Sequence, residues 1–132
     1  MKEKLIPEKM KKPAGLFSWG IKAGNFVFIS GIVGIDIAGK IVGKGDAKIQ
    51  AKQAFVNIAA ILETAGVEPK NIIKLVTYLR NISDYPKVGE ARAEFFRENS
   101  ITEDDFPAST AVEAKLINAD FLVEIEAVAY IG

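Results

Sequence analysis

A chain of 132 residues has room for one domain with a sizeable core, and its 17 basic and 17 acidic residues cancel, which argues against nucleic acid or an anionic membrane as an electrostatically held partner. The absence of cysteine and histidine excludes disulfides, thiolate nucleophiles, Ser-His-Asp triads and metals held by Cys or His. Acid/base chemistry therefore falls to Asp, Glu, Lys, Tyr or water.

Residues 1–14, with Pro7, Pro13 and five lysines, read as an extended segment ahead of one domain spanning 15–132. From Phe17, the alternation of Phe17, Trp19 and Ile21 with Ser18, Gly20 and Lys22 predicts a half-buried strand. Gly24-Asn25 is a two-residue hairpin signal, and Phe26, Phe28 and Ser30 begin the return strand. Ala38-Gly39 separates the apolar stretch Ile32–Ile37 from Ile41-Val42 and predicts a second short hairpin.

Asp46 is placed to cap a long helix, with Ala51, Ala54, Phe55, Ile58 and Leu62 on one face and Gly66 just past its end. After the turn at Pro69, Ile73–Arg80 is β-branched and aromatic enough to be a strand. Asp84, followed by Pro86, predicts the start of a second helix whose apolar face is Val88, Ala91 and Phe95 and whose end is near Asn99. Two closing strands are expected over Ser109–Leu116 and Phe121–Ile131, around the turn Ile117-Asn118-Ala119-Asp120.

This order implies an α+β fold, a mixed β-sheet with two helices packed on one face. On the last strand Val123, Ile125, Ala127 and Ala129 alternate with Glu124, Glu126, Val128 and Tyr130. One set faces the helices. The other mixes carboxylates with apolar groups, which suits a subunit interface or cleft and favours a homo-oligomer, as does the positive mean hydropathy. No apolar run is long enough to span a bilayer, and Met1–Leu5 is charged and lacks a signal-peptide core, so no membrane partner and a cytoplasmic location are expected.

Several blocks resemble the RidA (YjgF) family of enamine/imine deaminases and their non-catalytic relatives. They are Gly24–Gly31, Gln53–Ile58 with Glu63–Gly66, Val76–Leu79 with Asp84 and Phe95-Phe96, and the most specific pair, Phe106-Pro107-Ala108 leading to Val112-Glu113 and then Val123–Ala129. The resemblance runs from about Gly15 to Tyr130. It implies a chorismate-mutase-like fold, a homotrimer and three equivalent intersubunit clefts. There water would add to a small reactive enamine or imine, such as 2-aminoacrylate, with no metal or organic cofactor.

Carried over residue by residue, Glu124 matches the glutamate that positions the attacking water. Phe17 stands where many members have tyrosine, and Ser30 and Gly31 offer a hydroxyl and a backbone N–H. Ala108 and Ser109 follow Phe106-Pro107, and Ser109 replaces the arginine that holds the substrate carboxylate. Gly89 replaces an asparagine common in the second helix. Arg92 and Arg97 on that helix read as solvated. With Ser109 at this position, either the substrate has changed, a different cation reaches in, or the chain is a non-catalytic ligand-binding or regulatory trimer. An endoribonuclease or translation-inhibitor role, which the resemblance also brings, ranks last for a neutral chain without histidine.

Overall fold

Helix α1 (Ala47–Thr64) begins where the Asp46 side chain accepts a hydrogen bond from the Ile49 amide at 3.0 Å. It stops because Gly66, at φ +71°, lets the chain fold back, so that the amides of Gly66 and Val67 bond to the carbonyls of Glu63 and Leu62. The computed structural model describes residues 1–132 and adds strands β1 (Lys2–Leu5), β2 (Gly20–Ala23), β3 (Phe26–Ile32), β4 (Ile72–Leu79), β5 (Ala108–Glu113) and β6 (Val123–Tyr130), with helix α2 (Tyr85–Glu98) between β4 and β5.

The six strands form one sheet in the order β1-β2-β3-β6-β4-β5. All neighbours are antiparallel except β4 and β5, which are parallel and joined through α2. Val123, Ile125, Ala127 and Ala129 of β6 are buried with Val27, Ile29, Leu75 and Leu79, and α1 covers them. Phe55 of α1 stacks on Phe95 of α2 with ring centres 4.7 Å apart, which joins the two helices above the sheet. The opposite sheet face is open. Phe26, Phe28 and Tyr130 stand there as exposed aromatic side chains, beside Tyr78, Glu124 and Glu126.

The mixed sheet and two helices are those expected, with several local differences. Residues of the leading segment form edge strand β1, and Leu5 is 1% exposed in the core. Its neighbours Lys2, Glu3 and Lys4 face water, which hides the strand from a hydrophobic reading. Phe17 and Trp19 precede β2 instead of opening it, although the Ser30 amide still bonds to the Trp19 carbonyl at 2.9 Å. The second hairpin is reduced to one bridge, Ile35 to Ile41. Asp84 makes no side-chain cap; α2 follows a 3-10 turn over Ile82–Asp84, and the Asp84 carboxylate lies 3.9 Å from Lys87 Nζ. β5 ends at Glu113 and β6 begins at Val123, so the connection between them is longer than the expected four-residue turn.

Two buried amides fix that connection and the loop after β3. Gln50, 0% exposed, donates to the carbonyls of Gly43 and Asp120 at 3.2 and 3.1 Å and accepts from the Leu122 amide at 2.9 Å. Asn57 donates to the carbonyls of Val33 and Ile35 at 3.1 and 2.9 Å and accepts from Gln53 at 3.0 Å. Satisfied in this way, they hold irregular backbone that no strand ladder supports.

Candidate functional site

Glu124 projects from the open face of β6 into a pocket of about 920 Å³. Its walls include Phe17, Ser30, Gly31, Tyr78 and Glu126, and the segment Ala114–Ile117. The pairing of β3 with β6 slips between Ile29 and Ile32, which sets Ser30-Gly31 out of regular register beside Glu124. A Cβ on Gly31 would lie 2.0 Å from Glu124 Oε2, so only glycine lets the carboxyl group sit against the backbone here.

No side chain or amide of the chain bonds to the Glu124 carboxyl group, while Tyr78 donates to Glu126 Oε1. Burial, and then the neighbouring Glu126 charge, push the Glu124 pKa above the ordinary carboxylate value. The bond to Glu126, burial and the two carboxylates likewise hold the Tyr78 phenol above its usual value. Glu124 is thus the free carboxyl of the pair, able to take or return a proton nearer neutrality than an exposed glutamate.

Ser30 lines the same pocket, but its hydroxyl donates to the Ser18 carbonyl at 2.6 Å. Its proton and its amide are therefore both spent within the chain, and what remains for a ligand is acceptor capacity. Phe17 is 48% exposed and meets Trp19 edge to face at 5.4 Å. Trp19 itself belongs to the core, its indole N–H donating to the Lys11 carbonyl at 2.7 Å.

Ala108 and Ser109 are elsewhere. Ser109 pairs with the core residue Leu75, and so faces the helix side of the sheet. It is reached there by Arg92, whose Nη1 donates to Ser109 Oγ at 2.9 Å and whose Nη2 donates to Thr77 Oγ1 at 3.0 Å. Arg92 is therefore partly buried and bonded, not solvated as its sequence position suggested; burial pulls its pKa below the usual guanidinium value. Arg97 is exposed, as expected. A second pocket, of about 650 Å³, runs along this side of α2 past Gly89, Arg92, Phe96, Phe106 and Pro107.

The six anticipated residues thus divide: Phe17, Ser30, Gly31 and Glu124 share one pocket, Ser109 bonds to Arg92 in the wall of the other, and Ala108, paired with Lys74 on the opposite sheet face from Ser109, lines neither. Sequence reasoning missed Tyr78, Glu126, Thr77 and Arg92 as members of these places. For Arg92 a signal exists: it lies four residues after Val88 and four before Phe96, both buried, so helical spacing places it toward that inner side. For Tyr78 the signal is its register with Glu124 across β4 and β6, visible only once the strands are paired.

The profile of the family described as Endoribonuclease L-PSP matches residues 8–131. A RutC family protein of Pyrococcus horikoshii is 44% identical over 130 residues, which cover 98% of each chain. The 3-aminoacrylate deaminase RutC of Acinetobacter baylyi is 33% identical, again over 98% of each chain. Among solved structures, E. coli TdcF with bound serine is similar with a TM-score of 0.89 and 26% identity, over 98% of this chain and 99% of that one.

Proposed function

This chain belongs to the endoribonuclease L-PSP family, that of the RidA and RutC proteins, and from that premise we propose that it hydrolyses small enamines or imines in clefts between adjacent copies of a cytoplasmic homotrimer. The observation that carries the reading is Glu124: a carboxyl with a raised pKa, unbonded within the chain, set against Gly31 in an open pocket. The relative named 3-aminoacrylate deaminase supports the substrate class. Two half-sites, one around Glu124 and one around Ser109, lie on opposite sides of the sheet and do not meet within one chain. A cleft that uses both takes them from neighbouring copies, and the open aromatic sheet face offers the surface for that contact.

The chemistry then needs one proton carrier and no cofactor. An enamine first takes a proton on carbon from solvent and becomes the iminium ion. Water adds to the C=N carbon as its proton passes to Glu124, which then returns that proton to the nitrogen of the neutral carbinolamine. The C–N bond breaks as the hydroxyl proton is lost to solvent, releasing ammonia and a carbonyl product. Glu124 ends each turnover in the protonation state in which it began.

A coupled assay in which serine or threonine dehydratase generates the imine tests this directly. Imine loss well above the buffer rate is expected. Loss at the buffer rate for every amino-acid-derived imine would sink the hydrolase reading, and a ligand-induced rise in melting temperature without turnover would point to the ligand-binding trimer instead.

A further inference from the structure

We propose that Arg92, presented from α2 and bracketed by Thr77 and Ser109, is the residue with which this chain grips a small monocarboxylate substrate. All seven ion pairs of the chain use lysine, so Arg92 has no carboxylate partner. Its two bonds run to neutral hydroxyls, which orient the guanidinium without balancing its charge. Arg80 shows the contrast. Its side chain donates three times to the carbonyls of Phe121, Leu116 and Asn118, which is a structural tether for the loop. A partly buried cation lacking an anion is unfavourable by itself and becomes favourable when an anion arrives.

The surroundings fit one small anion. Thr77 is 0% exposed, and the strand register places it and the exposed Ser109 on the same helix-facing side of β4 and β5, so Arg92 is held from two neighbouring strands. The remaining guanidinium N–H groups have no acceptor in the chain and border the pocket beneath Phe96, Phe106 and Pro107. A Cβ on Gly89, one turn before Arg92 and in the same pocket wall, would meet nothing within 4 Å, which leaves the approach open. One guanidinium matches the charge and the paired oxygens of one carboxylate. A phosphate, with more charge and a third oxygen, is left short of donors. Ser109 then has a clear role: its small hydroxyl makes room for an arginine that comes from the helix instead of the strand.

This inference rests on the hydrolase reading for its place beside Glu124 of a neighbouring copy, but its test separates the two. Turnover of 2-iminopropanoate and of its amide counterpart is compared in the wild-type chain, Arg92→Ala, Arg92→Lys and the double variant Arg92→Ala/Ser109→Arg. Arg92→Ala is expected to lower kcat/KM for the carboxylate by roughly 30-fold or more and for the amide by less than about threefold. The double variant, which returns a guanidinium to the strand, should recover much of the loss. Arg92→Lys, which keeps the charge and stem but not the fork, should fall between and guards against a folding defect.

Equal losses on both substrates in Arg92→Ala and Arg92→Lys, or none, would overturn the assignment. Should the wild-type chain turn over neither substrate, the hydrolase reading fails. The assignment is then read from pyruvate-induced thermal stabilisation: present in wild type, lost in Arg92→Ala and absent with pyruvamide or inorganic phosphate. Stabilisation by pyruvate that survives in Arg92→Ala, is matched by phosphate, or is missing in wild type would overturn it.

Discussion

The two pockets solve opposite problems with the same sheet. On the open face, burial makes Glu124 reluctant to carry charge, and nothing in the chain relieves it. Behind α2, the chain instead keeps a charged Arg92 and steadies it with hydroxyls. One place is suited to moving a proton and the other to holding an anion. The difference teaches that a helix passing over a strand can bring a guanidinium to a strand position that itself holds only a serine.

The most severe way to break this comparison is Glu124→Gln. It should lower turnover by about 10²- to 10⁴-fold, the range of a lost general acid/base, measured in the coupled assay. The same variant should melt at a higher temperature than wild type near neutral pH. The sign follows from the raised pKa. Below the ordinary carboxylate range Glu124 is protonated both folded and unfolded, so the variants converge. As pH rises through the ordinary value toward the raised folded one, the unfolded chain sheds its proton first and wild type loses stability relative to Gln. Melting curves of both proteins across this window check it, and a gap that does not grow with pH would contradict the burial of Glu124.

Gly31→Ala sharpens the same side. Its methyl group would collide with Glu124 Oε2, so the carboxyl must move; a loss of at least about tenfold in kcat is expected, with a stability cost of about 1–3 kcal/mol. Kinetics and denaturant titration measure the two separately. The smallest effect on chemistry should come from Gln50→Ala, which strips partners from Gly43, Asp120 and Leu122. About 2–3 kcal/mol of stability should go, with faster hydrogen exchange at Leu122 and little change in kcat.

Much of the scaffold is legible because it is written in local code. The cap at Asp46, the reversal at Gly66 and the turn at Gly24 (φ +58°) each depend on a few adjacent residues. Strand β1 is not legible, since three of its four residues are charged and only Leu5 turns inward. The site splits along the same line. Glu124 stands out as a carboxylate in an apolar strand, and Gly31 as part of a motif. The Arg92–Thr77–Ser109 group draws on α2, β4 and β5, and no spacing in the chain announces that three such elements converge. The motif residues Gln53 and Asn57 were legible as a pattern but not as what they are, the fastening of the loop after β3.

The position of β6 has a further consequence, in the order of events rather than in energy. It lies between β3 and β4, which have no pairing with each other, so the sheet is two unconnected pieces until β6 enters. A ribosome making about 5–20 residues per second exposes both pieces, each with an unpaired edge, for seconds before the strand that joins them exists. Those edges invite pairing with other nascent chains. Closure by β6 therefore completes the sheet and also ends the interval in which the chain is most open to aggregation.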